Sequence, residues 1–139
     1  MKYFTIKELC KSSTADRLKI KNEPTDEINH HLELLIDCLL DPIREAWGSP
    51  IIVTSGYRSA ALNKAVGGSK TSVHNLGWAA DIIPANGKME EFKIFISEFI
   101  VTRIWDQCIL EKDDDKEWVH IGLYNNSGKQ RRQLFSLDV

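Results

Sequence analysis

Four side chains able to hold a metal, His74, Asp81, Glu117 and His120, fall at or beside the ends of segments that read as strands. A catalytic zinc takes three nitrogen or oxygen ligands at about 2.0 to 2.2 Å and keeps a further position open for water. Two histidines and one carboxylate would satisfy it. Spacing alone does not single out that use, because His74 and Asp81 are seven residues apart across irregular chain and no HExxH helix is present. The same residues read equally well as a loop histidine, a strand-end cap and a hydrogen-bonded core histidine.

The elements that must position these groups follow from periodicity. Thr5 and Glu8 have the spacing of a capping box and open a short helix, whereas the polar stretch from Lys11 to Glu23 is expected to be loop. From Thr25 to Trp47 the residues Ile28, Leu32, Leu35, Ile36, Leu39, Leu40, Ile43 and Trp47 recur at three- and four-residue steps, the stripe of one long helix with a buried face. His30 and His31 on that helix point about 100° apart, so they cannot chelate one ion together and are expected at the surface. Ile51 to Val53 reads as a buried strand, Ser59 to Val66 as a short helix, and Ser69 to Ala79 as irregular chain leading into the strand Ala80 to Pro84. Met89, Phe92, Ile96, Phe99 and Ile100 mark another amphipathic helix. Gln107–Glu111 and Trp118–Leu123 flank an acidic turn in the pattern of an antiparallel hairpin, and a last strand is expected from Arg131 to Phe135. Helices and strands in separate blocks predict an α+β fold, a mostly antiparallel sheet packed against helices in one domain over residues 1–139.

Composition narrows the partners. A formal net charge of −2 supplies no basic field for a phosphate backbone, so nucleic acid is not an expected partner. Cys10, Cys38 and Cys108 form no CxxC pair and are an odd number, which argues against a disulfide framework and a cysteine-rich zinc site. No segment approaches the roughly 20 apolar residues of a membrane span, and the N-terminus has no signal-peptide pattern. The expectation is a soluble monomer, cytoplasmic as synthesised and not bound to membranes.

The segment TSGYRSAALNKAVGGSKTSVHNLGWAADI, followed by WVHIG, resembles the zinc D-Ala-D-Ala carboxypeptidase-like metallopeptidases, a family that includes phage endolysins and vancomycin-resistance dipeptidases. Ser72, His74, Gly77, Ala79 and Asp81 match its Ser-x-His-x-x-Gly-x-Ala-x-Asp signature, and Trp118 and His120 match the Trp-x-His strand that follows. The likeness extends upstream through FTIKELCKSSTADR and the long helix, and so covers nearly the whole chain.

The resemblance implies the fold shared by zinc DD-peptidases and the hedgehog signalling domain, zinc as cofactor, and ligands at His74, Asp81 and His120. It implies a substrate-gripping arginine at Arg58. Beside it, Ser72 and Gln107 are expected as hydrogen-bond donors, and Trp78 and Trp118 either wall the site or pack in the core. Glu117 is expected as the general base, although an acid three residues before His120 on a strand faces away from it unless the chain bulges. Glu111 is the alternative. The implied substrate is the peptide part of bacterial peptidoglycan or its precursors, and the implied setting is phage or prophage lysis, with release to the wall when the cell opens. A zinc-bearing binding module or a phage structural protein of the same fold remains the competing reading.

Overall fold

The computed structural model describes residues 1–138. The hydroxyl of Thr5 accepts the Glu8 amide at 3.1 Å and starts α1 (Ile6–Leu9), which buries Leu9. The polar stretch expected as loop contains α2 (Ser13–Leu18) instead. Ser12 caps it by accepting the Ala15 amide at 3.1 Å, and Lys19 ends it in a left-handed conformation. A helix this short buries only Ala15, and one apolar contact leaves no periodic stripe to read.

The long amphipathic segment forms one helical path from Asp26 to Trp47, made of α3 (Asp26–Leu35), a π turn at Ile36–Leu40, and α4 (Asp41–Trp47). Pro42 explains the wide turn, since it lacks the N–H that would bond the Cys38 carbonyl four residues back. The Asp41 amide reaches the Ile36 carbonyl five back, and Arg103 Nη2 approaches the Cys38 carbonyl at 3.5 Å. Leu32, Leu35, Ile36, Leu39, Leu40 and Ile43 are fully or almost fully buried. Each contributes about 1.5–3 kcal/mol, so this path anchors the domain core.

Five strands form one sheet: β1 (Ile51–Ser55), β2 (Ala79–Pro84), β3 (Gln107–Asp113), β4 (Lys116–Gly122) and β5 (Gln133–Asp138), ordered β1-β2-β4-β3-β5. Every pairing is antiparallel except β3 with β5. The last strand therefore starts two residues later than expected and runs on to Asp138. Between β1 and β2 lies α5 (Ala60–Ala65), and between β2 and β3 lies α6 (Met89–Phe99). One sheet face, bearing Ile82, Cys108, Val119 and Ile121, is buried in the core with Phe92 and Ile96 of α6. The other face carries Asp81 and His120, which lie directly opposite each other on β2 and β4. The result is the α+β architecture with a mostly antiparallel sheet read from the sequence. Among the described residues, no helix is long and apolar enough to cross a membrane.

Candidate metal centre

His74 sits on a 3-10 turn, Val73–Leu76, that interrupts the irregular chain ahead of β2. Ser72 opens the turn by accepting the His74 amide on its hydroxyl at 3.3 Å. Gly77 closes it at φ +75°, where a Cβ would meet Ile28 Cγ2 at 3.0 Å and Leu32 Cγ at 3.1 Å. Both the left-handed backbone and the contact with α3 require glycine there. The turn is also tied down from outside. The Arg58 amide bonds the His74 carbonyl at 3.2 Å, and His31 Nδ1 donates to the Leu76 carbonyl at 2.6 Å.

The imidazole of His74 is 3% exposed and donates from Nδ1 to the carbonyl of Gly56 at 2.8 Å. A carbonyl oxygen only accepts, so the ring carries a proton on Nδ1 and turns Nε2 outward. That nitrogen faces Asp81 Oδ1 at 3.4 Å, and His120 Nδ1 approaches the same oxygen at 3.0 Å. One ligand atom from each residue lies within 4.8 Å of the others. Burial pushes the Asp81 carboxyl up, but the adjacent His74 and His120 rings together hold it well below the usual carboxylate range, so it is ionised at neutral pH.

This donor set fits a divalent cation. Ligands at about 2.1 Å in tetrahedral geometry stand about 3.4 Å from one another, close to the two spacings around Asp81 Oδ1. With Nδ1 engaged by the Gly56 carbonyl, Nε2 is the His74 atom left to meet a cation beside the Asp81 carboxylate. His74 Nε2, Asp81 Oδ1 and His120 Nδ1 are the atoms that could hold it.

The three residues open into a cleft of about 580 Å³ that Arg58, Ser72, Gln107, Ile109, Glu111 and Trp118 also line. A second hollow of about 600 Å³, sharing Arg58 and Asp81, continues toward Ser12, Thr14 and Thr54. Arg58 donates from Nη2 to Ser72 Oγ at 3.1 Å, while its Nε is buried without a partner among the described residues. Burial lowers its pKa, and Asp81 and Glu111 raise it in opposition, so the guanidinium stays charged with donor capacity to spare. Gln107 bonds Gln133 Oε1 at 2.9 Å, and Trp118 Nε1 donates to Glu111 Oε2 at 2.9 Å. Arg58, Ser72, Gln107 and Trp118 thus share the cleft with the three candidate ligands.

Glu117, expected as the general base, does not line it. The strand does not bulge at Glu117, so side-chain alternation sends Glu117 to the face opposite His120, where it pairs with Lys93 of α6. Glu111 lies opposite Trp118 on the sheet and shares the site face. Burial and the nearby Asp81 charge raise its pKa, while His120, the Trp118 hydrogen bond and His74 pull it down in part.

Two supporting residues were not legible as such. Gly56 supplies the carbonyl that orients His74, and a Cβ there would meet the Leu9 carbonyl oxygen at 2.1 Å. His31, expected as surface, is stacked on Trp78 at 3.9 Å between ring centroids besides holding Leu76. Trp78 accordingly packs against His31 and Tyr124 and does not line the cleft. Nothing in local spacing joins Gly56 to His74 or His31 to Trp78, because each contact crosses between elements.

A family model described as peptidase M15 matches residues 2–122 of the chain. No curated protein matches it.

Proposed function

The chain belongs to the peptidase M15 family, whose members are zinc-dependent peptidases, and from that premise we propose that it hydrolyses a peptide bond in bacterial peptidoglycan or its precursors. The observation that carries this reading is the convergence of His74 Nε2, Asp81 Oδ1 and His120 Nδ1 in a cleft that also holds a charged arginine and a carboxylate. A zinc ion held by these three atoms would supply Lewis acidity, bringing the pKa of a water to about 7 and polarising the scissile carbonyl.

The chain's own residues do the rest. Glu111 takes the proton of the attacking water and returns it to the leaving amine, a role suited to a carboxylate whose basicity burial and the nearby Asp81 charge increase. Trp118 holds the second Glu111 oxygen and so sets the direction of the free one. Arg58 grips a substrate carboxylate or the developing oxyanion with the part of its guanidinium that lines the cleft. Ser72 holds the Arg58 fork, and Gln107 offers an amide at the rim.

The bond cut is of the D-Ala-D-Ala carboxypeptidase or L-Ala-D-Glu endopeptidase type. The hollow beyond Arg58 and Asp81 gives peptide room on both sides of the site, which supports internal cleavage. The resemblance to phage endolysins supports a lysis role for a single catalytic domain acting as a monomer. Digestion of purified peptidoglycan, with fragments identified by mass, tests the reading. New peptide termini should form, vanish with chelator and return with zinc. Intact peptide stems under all conditions would overturn it in favour of a binding module.

A further inference from the structure

The site face of the sheet continues past the metal cleft onto β5. In register, Asp81, His120, Ile109 and Phe135 form one row across β2, β4, β3 and β5. On one side runs the row Gly122, Gln107, Gln133, and on the other Trp118, Glu111, Leu137. Alternation therefore puts Gln133, Phe135 and Leu137 on the face that carries His120, and the hydrogen bond from Gln107 to Gln133 follows the same face. Ile109 lines the cleft, and beside it Phe135 is 40% and Leu137 43% exposed. This strand lies outside residues 2–122, the part that the family model matches.

Two large apolar side chains are thus continuous with the floor of a polar cleft. Neighbouring strands lie about 4.8 Å apart, which sets Phe135 about 10 Å from His120, the length of roughly three residues of extended chain. A peptide with its scissile bond at the triad and one arm lying over Ile109 reaches Phe135 and Leu137.

We propose that β5 is a specificity element in which Phe135 and Leu137 form an apolar shelf for an aliphatic side chain of the peptide substrate, two or three residues from the scissile bond. The proposal rests on the peptidase reading above. The stem peptide is the occupant because the shelf adjoins, through Ile109, the cleft that holds the reacting bond. Leu134 is 38% exposed on the reverse face of the same strand and supplies an internal control.

The test is steady-state cleavage of stem peptides of two to five residues by the zinc-loaded protein and its Phe135→Ser, Leu137→Ser and Leu134→Ser variants, with melting temperature and light scattering alongside. For wild type, kcat/KM should rise with peptide length. On the longest stem it should fall about 10-fold, mainly through KM, in Phe135→Ser and Leu137→Ser but not in Leu134→Ser. Unchanged kinetics in both shelf variants, or an equal loss in Leu134→Ser, overturns the shelf while leaving the peptidase reading intact. Self-association of wild type that the shelf variants abolish makes the strand an interface between copies and also overturns it. A wild-type protein that cleaves no stem peptide overturns the peptidase reading, and the shelf with it.

Discussion

His74 donates its Nδ1 proton to the carbonyl of Gly56 at 2.8 Å, and that bond turns Nε2 toward Asp81. Such outer hydrogen bonds fix both the tautomer and the ring orientation of a metal ligand. Gly56 can present its carbonyl there because its lack of a side chain lets it pack beneath the backbone of Leu9. A Gly56→Ala variant, whose Cβ would fall 2.1 Å from the Leu9 oxygen, must shift this carbonyl. It should lose about 10-fold or more in zinc affinity, measured by competition with a chromogenic chelator. Unchanged affinity would mean that His74 is oriented by other contacts.

Gly77 makes a separate demand on the same turn. Gly77→Ala should cost about 1–2 kcal/mol for the left-handed backbone alone, with the contacts to Ile28 and Leu32 adding to it. Denaturant unfolding of the metal-free protein reads this directly. A loss under about 0.5 kcal/mol would show that the turn relaxes at little cost.

Glu111 and Glu117 should separate cleanly. Glu111→Gln is expected to keep zinc and lose about 100-fold or more in kcat, whereas Glu117→Gln should keep both zinc and kcat. A large loss in Glu117→Gln with activity retained in Glu111→Gln would reverse the assignment.

The stability of Glu111→Gln carries a sign as well. A carboxyl whose pKa is raised on folding binds its proton more tightly in the native state, so its ionisation costs stability as pH rises above the unfolded value. The metal-free Glu111→Gln protein should therefore melt higher than wild type at pH 7, with the difference shrinking below the ordinary glutamate pKa. A lower melting temperature at pH 7 would show that the Trp118 hydrogen bond outweighs desolvation.

How much of this was legible in the sequence differs from residue to residue. The long helix, the hairpin and the strand ending at Pro84 follow from periodicity because each buries one face, and the grouping of His74, Asp81 and His120 was implied by the family signature and not by spacing. The proposed base, Glu111, was only the alternative. Its identity depends on hairpin register, which the turn at Asp113–Lys116 sets by placing Glu111 opposite Trp118. Alternation along β4 already argued against Glu117 from its odd offset to His120. The helix at Ser13–Leu18 and the extension of β5 to Asp138 bury too little apolar surface to leave a pattern.

Arg58 is expected to recognise negative charge on the substrate. Arg58→Lys keeps the charge but loses the planar fork, so kcat/KM should fall about 10-fold or more while zinc content and melting temperature stay near wild type. A rise in KM alone would place the contact on a ground-state carboxylate, and a fall in kcat would place it on the developing oxyanion. Wild-type kinetics would reduce Arg58 to a structural partner of Ser72.

The metal site itself is tested most directly by zinc content. Elemental analysis of protein loaded with zinc and freed of excess should give one zinc per chain for wild type and none for the His74→Ala, His120→Ala double variant, with both proteins folded by circular dichroism. Equal zinc in the two proteins, or none in wild type, would contradict the assignment of His74, Asp81 and His120 as its ligands.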